Sequence, residues 1–201
     1  VLDYNSESAD YDRTRGGVPR AQAAASALDQ LLPARSVILD LATGTGIVAA
    51  QLEALGHRVI GFDTSVGMLA HAAGRLPGRV MRADAAALPV TDGSVDVVTA
   101  IWLLHLLTDA EPVLTEVARV LRPGGLFLTT VDKHAASHAP QGMSEDSPRA
   151  DGCARLTAVG ARHHLHLAAA TSFVGYGQAR SGGAEPRYPI LGFRLQAGSS
   201  G

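Results

Sequence analysis

Hydrophobic positions along the chain fall into two recurring patterns, short runs rich in β-branched residues and longer stretches at helical spacing. After a polar start over 3–17, Ala21, Ala24, Ala25, Leu28, Leu31 and Leu32 share one helical face. Pro19 stands where a first-turn proline is tolerated, and Pro33 ends the run. SVILDL (36–41) reads as a buried strand; then come TGTG, a short helix IVAAQLEAL closed by Gly56, and the strand HRVIGF (57–62) ending at Asp63. A helix from about Ser65 to Leu76 leads past Pro77 and Gly78 to a short strand at 80–82. The loop AAALPVTDGS precedes the strand SVDVVTAI (94–101). Thr108 and Glu111 have capping-box spacing ahead of a helix whose apolar face is Val113, Leu114, Val117, Val120 and Leu121. Pro123-Gly124-Gly125 terminates it, and LFLTTV (126–131) is the fifth strand. The polar stretch 132–150 reads as a loop, 151 to about His164 as a helix, and 168–176 and 187–195 as two strands.

Strands separated by helices predict an α/β fold, a mostly parallel sheet with helices on both faces. The last two strands, joined by the short turn-rich ARSGGAEP, are expected to pair antiparallel, because a parallel pair needs a longer crossover. Seven strands over 1–197 make one domain, with a flexible tail at 198–201. In such sheets ligands bind outside the carboxyl ends of the strands, which is where chemistry is to be sought.

Charge narrows the partners. Seventeen basic against nineteen acidic residues leave a net charge of −2, so no general cationic field draws the chain to nucleic acid or anionic membranes. Lys133 is the only lysine, hence the one candidate amine for Schiff-base chemistry. A lone Cys153 excludes an internal disulfide and a cysteine metal cluster, and no metal site is expected. With an acidic, polar start and no apolar run approaching ~18 residues, the expected setting is cytoplasmic, without a membrane span.

Three carboxylates fall at successive strand ends. Asp40 precedes the loop containing Gly44 and Gly46, where missing side chains let a ligand approach the backbone. Gly44-Thr45-Gly46-Ile47-Val48-Ala49 also satisfies the G-x-G-x-x-A form of a dinucleotide fingerprint. Asp63, seventeen residues past Gly46, can accept hydrogen bonds from ribose hydroxyls in either case. Asp84 can accept a hydrogen bond from an exocyclic adenine amine while the Ala85 N–H donates to a ring nitrogen. Such an acidic edge repels a pyrophosphate and suits a ligand carrying a sulfonium and an ammonium.

The succession YDRTRGG, VILDLATGTG, VIGFDTS followed by Met68-Leu69, RADAAALPV, SVDVVTAIWLLHLL and EVARVLRPGGLFL, over most of 9–131, resembles the class I S-adenosylmethionine-dependent methyltransferases. The resemblance is to the type 11 group, which includes ubiquinone- and menaquinone-pathway and natural-product enzymes. It implies a Rossmann-like seven-stranded sheet and S-adenosylmethionine as cofactor, with S-adenosylhomocysteine as product. Asp40, Gly44 and Gly46 would shape the methionine pocket and Asp63 would bind the ribose, with Ala42, Thr43 and Thr64 also among the cofactor-binding positions. Met68 would pack on adenine, Asp84 and Ala85 would read its edge, and Ile101 and Trp102 would line the cofactor. Residues 1–33 would form a lid and helix, in which Tyr11 and Arg15 cover the methionine end and Arg15 or Arg20 pairs with its carboxylate. Ala42 departs from the family, which usually has a glycine there, and this puts cofactor affinity in question.

Methyl transfer is an in-line displacement that needs alignment and water exclusion, with a general base only for hydroxyl or carbon acceptors. His105, after the fourth strand, is the leading candidate base. His134 and His138 follow the fifth strand without a metal-ligand pattern; His163, His164 and His166 lie far from the motifs. The loop at 132–150 is the expected acceptor side, too short for a cap domain, so the small-molecule acceptor is bulky or carrier-bound, or the site is completed in a homodimer. Two other functions compete: an inactive cofactor-binding partner, and an NAD(P)-dependent dehydrogenase.

Overall fold

The computed structural model describes residues 4–133, 150–179 and 183–196. Its elements are α1 (Tyr4–Glu7), α2 (Tyr11–Thr14), α3 (Gly17–Asp29), β1 (Val37–Leu41), α4 (Ile47–Ala54), β2 (Arg58–Asp63), α5 (Val66–Arg75), β3 (Val80–Arg82) and β4 (Val95–Ala100). A 3-10 turn (Leu104–Leu106) follows, then α6 (Glu111–Val120), β5 (Leu121–Thr130), α7 (Cys153–Arg162), β6 (Leu165–Val174) and β7 (Arg187–Leu195). The seven strands form one sheet in the order β3-β2-β1-β4-β5-β7-β6. The first five run parallel, and β7 is antiparallel to both β5 and β6. The expected seven-stranded architecture with its antiparallel terminal pair is therefore present.

The period-two alternation of each strand sends neighbours to opposite faces. Leu39, Leu41, Val98 and Phe127 join Val113, Leu114, Val117 and Leu156, so α6 and α7 cover one face. Ile38, Val97, Leu126 and Leu128 join Ala24, Leu28, Val48 and Leu52 of α3 and α4 on the other. Each such leucine or valine contributes about 1.5–3 kcal/mol by leaving water, and strands buried on both faces carry the unbroken apolar runs seen in the sequence.

The boundaries differ from expectation in three places. Thr108 does not cap α6: Ala110 occupies the N-cap without a side-chain hydrogen bond, and the Asp109 carboxylate accepts from the Glu111 N–H at 3.1 Å. β5 begins at Leu121, with Pro123-Gly124-Gly125 inside it and a shift of register between Val95 and Val97. β6 begins at Leu165, where Leu165 pairs with Leu195 and Gln196 N–H donates to the His164 carbonyl at 2.9 Å, extending the ladder beyond what the local pattern marks.

The polar start folds into α1 and α2, which cross the carboxyl end of the sheet. Gly16 at the N-cap of α3 has a φ of 84°, and a side chain there would come within 2.0 Å of the Tyr176 carbonyl, so only glycine permits this turn against the end of β6. Among the described residues no helix is long and apolar enough to cross a membrane. His134 and His138, and most of the predicted 132–150 loop, lie outside the described residues, as does the 198–201 tail.

Candidate active site

A cleft of about 150 Å³ opens at the carboxyl ends of β1, β2 and β4 beneath α1 and α2. β1 supplies Asp40 and, through the turn after it, Ala42, Thr43 and Gly44; β2 supplies Asp63 and leads into Thr64; α5 supplies Met68; β4 leads into Ile101 and Trp102; α2 supplies Tyr11. Thus ten of the fourteen cofactor positions expected from the sequence line one space. No Lys, Arg or His is among the lining residues, whereas two carboxylates are.

Asp40 is only 4% exposed and accepts a 2.6 Å hydrogen bond from the Thr99 hydroxyl. Burial pushes its carboxyl up to about 6, against the opposing pull of the Thr99 and Thr43 hydroxyls. Asp63 ties two turns together: one oxygen accepts from the Gly44 N–H and the other from the Ser65 N–H, both at 2.8 Å. The Gly44 amide is therefore spent within the protein and is not free for a pyrophosphate. Gly44 itself has a φ of 57°, and the space a side chain would occupy is open for 4 Å, a backbone surface against which a ligand can lie. Gly46 serves packing, since a side chain there would press on Ala72 at 3.2 Å. Ala42 sits at φ 53°, the left-handed region that favours the glycine the family usually has.

Residues 39–129, which include this glycine turn, Asp63 and the β4 end, match the family of the methyltransferase domain. This segment is a type 11 methyltransferase domain. A demethylmenaquinone methyltransferase of Mycolicibacterium gilvum is 45% identical over 96 residues, covering 48% of this chain and 41% of that protein. The chain thus spans less than half the length of that relative. In fold, it is similar to a chain of the Haloferax volcanii complex between the Trm112 methyltransferase activator and a protein described as a methyltransferase. The TM-score is 0.77 at 22% identity, over 98% of this chain and 100% of that one. The [4+2]-cyclase SpnF shares the fold at a TM-score of 0.73 and 19% identity, over 97% and 95% of the two chains. The methyltransferase fold therefore hosts more than one reaction.

Four expected cofactor positions lie off the cleft of the methyltransferase domain. Gly46 is the packing residue described above. Asp84 is exposed and closes its own turn, accepting the Ala86 N–H at 2.9 Å, with Ala85 half-buried beside it. The loop after β3 is pinned by Arg119, which bonds the Leu88 and Val90 carbonyls and pairs with Glu116 at 2.7 Å. Arg15 lines a smaller adjoining hollow with Tyr11, Arg20 and Trp102. There the Arg20 guanidinium, 5% exposed, stacks 3.6 Å from the Trp102 ring centroid and donates to the Arg15 carbonyl at 2.6 Å. Trp102, at φ 63°, also meets Phe173 and Tyr188 edge-on, and its Nε1 is buried.

Several contacts carry no sequence signal. Asn5 in α1 accepts from the Ser65 hydroxyl at 2.9 Å and the Gly67 N–H at 3.0 Å. Asp12 in α2 accepts from the Thr45 hydroxyl at 2.6 Å and pairs with Arg75 at 2.7 Å. These polar contacts close α1 and α2 over the cleft. His105 does not line the cleft; its Nε2 lies 2.7 Å from Lys133 Nζ. His163 ties α7 to α6 through Glu111 at 2.6 Å, while His164 and His166 are exposed. Among the described residues no group of three His, Cys, Asp or Glu could hold a metal.

Proposed function

We propose that this domain transfers a methyl group from S-adenosylmethionine to a small-molecule acceptor. The observation that carries the reading is the charge of the cleft, two carboxylates and no basic side chain around an open glycine turn. That set suits a cationic, hydroxyl-rich ligand and opposes a dinucleotide pyrophosphate. The cofactor supplies an electrophilic methyl carbon already activated by its sulfonium.

The protein's own residues then bind, align and exclude water. Asp63, held by two backbone amides, keeps lone pairs for ribose hydroxyls, with Thr64 beside it. Asp40 offers negative charge to the methionine end, and its elevated titration means that ligand binding near pH 6 expels a proton. Met68 and Ile101 give apolar walls for the purine, whose edge Asp84 and Ala85 meet once their turn closes inward. Residues 4–15 form a lid latched by Asn5 and Asp12, which shuts water from the displacement. Arg15 is placed to take the methionine carboxylate. His105 is the candidate base, away from the cofactor cleft on the acceptor side.

Reduced demethylmenaquinone is the first acceptor to test, because the Mycolicibacterium gilvum relative is named for it. Calorimetry with S-adenosylmethionine, S-adenosylhomocysteine and NADH separates the cofactor classes. Binding of the first two without NADH is expected; tight NADH binding with no S-adenosylmethionine signal would overturn the reading. Formation of S-adenosylhomocysteine with the quinol then distinguishes an active enzyme from an inactive binding partner.

A further inference from the structure

Beside the cofactor cleft, the hollow that Arg15, Arg20 and Trp102 line measures about 20 Å³, room for about one or two water-sized groups. Tyr11, Ile47 and Trp102 line both spaces, so a group held in the hollow stands against the wall of the cleft. Arg20, 5% exposed, is engaged on one face and one edge. Its face lies 3.6 Å from the Trp102 ring centroid, and Nη1 donates to the Arg15 carbonyl at 2.6 Å. Stacking on a ring engages the face of a guanidinium and leaves its in-plane N–H groups to find acceptors. Among the described residues Arg20 Nε has no acceptor, and neither do Arg15 Nε and Trp102 Nε1, all three buried. Buried polar groups are ordinarily bonded, yet here three donors without acceptors belong to three residues around one hollow.

Charge points the same way. Among the described residues neither Arg15 nor Arg20 is ion-paired. Burial pushes the Arg20 guanidinium below its ordinary value; Tyr188 and Tyr11, neither of them a carboxylate, oppose this, and Arg15 adds to it. Asp12, the acid in the lining, is committed elsewhere, accepting from the Thr45 hydroxyl at 2.6 Å and pairing with Arg75 at 2.7 Å. Two guanidiniums therefore line the hollow without a counter-charge, and a buried cation left without a partner is costly. A methionine carboxylate on Arg15 brings one negative charge, which leaves Arg20 for another.

We propose that Arg20 and Trp102 Nε1 form an anion site for the methyl acceptor, holding an oxyanion on that molecule, either a carboxylate or an ionised aromatic hydroxyl. This rests on the methyltransferase reading above and names its substrate class, an acidic acceptor. The hollow is large enough for the oxyanion and too small for a ring that bears it, so the body of the acceptor extends along the shared wall into the cleft. The planar fork of Arg20 suits an oxyanion better than a neutral carbonyl, because a charged acceptor strengthens each N–H bond.

Trp102 is the only tryptophan of the chain, so tryptophan fluorescence reports on this hollow. In the protein loaded with S-adenosylhomocysteine, benzoate or pentafluorophenolate is expected to change the emission saturably, and neutral benzamide is not. The tighter of the two anions identifies the oxyanion that the acceptor carries. Arg20→Gln should raise the dissociation constant of that anion at least about tenfold, and Arg20→Lys, which keeps the charge without the fork, should raise it less. If Arg20→Gln does not fold, Arg20→Lys and the wild-type contrast of anion with amide still decide. No saturable response to either anion, an equal response to benzamide, or an unchanged constant in folded Arg20→Gln would overturn the proposal. So would an Arg20→Gln that weakens S-adenosylhomocysteine as much as the anion, since Arg20 would then belong to the cofactor. S-adenosylhomocysteine binding with no anion response sinks the anion site and spares the methyltransferase reading. Arg20-dependent anion binding in a protein that takes no S-adenosylhomocysteine does the reverse.

Discussion

The two edges of the carboxyl-end surface carry opposite charge. Over β1 and β2, Asp40 and Asp63 face a cleft with no basic side chain in its lining. Beyond β4 and β5, Arg15, Arg20, His105 and Lys133 gather with Asp151 as the opposing acid. Burial acts on both edges by the same physics and pushes both toward neutrality, Asp40 up to about 6 and Lys133 down to about 7. The near balance of charge along the chain therefore conceals a separation, one edge lined by carboxylates and the other gathering basic groups.

The strongest way to break this comparison is through pH. The unfolded chain ionises Asp40 near 3.8 and the folded chain near 6, so stability falls as pH rises from about 4 to 6 and is level above. The two-unit difference corresponds to about 3 kcal/mol, which Asp40→Asn should abolish in urea denaturation at pH 4–7. Lys133 gives the mirror image: the folded chain loses its proton near 7 and the unfolded chain near 10.5, so stability rises over that interval. Lys133→Met should flatten this slope and leave the acidic one, and a variant that flattened both would refute the separation.

Smaller effects sharpen it. Asp63→Ala removes a carboxylate that organises two backbone amides, and should weaken S-adenosylmethionine by about 1.5–3 kcal/mol in calorimetry, whereas Lys133→Met should leave that affinity within about twofold. Asp12→Ala cuts the contacts to Thr45 and Arg75, and should speed cofactor release by about tenfold in stopped flow, an effect of about 1–2 kcal/mol. Ala42→Gly relieves the left-handed alanine at a cost in unfolded-state entropy, for a net gain of up to about 1 kcal/mol, or about 2–4 °C in Tm.

The acidic edge was legible in the sequence and the basic edge was not. Asp40, Gly44 and Asp63 sit where strands end, and the strands are marked by unbroken apolar runs, so their convergence follows from the parallel order of the sheet. Asp84 also stands at a strand end, yet its turn keeps it on the surface, since a short carboxylate there bonds the amide two residues on. The expected cap at Thr108 failed for a similar reason: Asp109 reaches the Glu111 amide. Arg15 and Arg20 were visible only as alternative partners for one carboxylate. Stacking of Arg20 on Trp102, 82 residues away in the chain, depends on how α3 crosses the sheet.

Periodicity, β-branching and turn residues act over a few positions, and they are enough to set the strands, the helices on both faces and the glycine turn with its two carboxylates. The latch of Asp12 on Arg75 spans 63 residues and the meeting of Lys133 with His105 spans 28. No local propensity encodes such pairs, because each partner is a polar residue in a loop or short helix whose position is fixed by what its neighbours bury. Packing brings them together, and burial then gives the Lys133 amine and the Asp40 carboxyl proton affinities that their residue types alone do not possess.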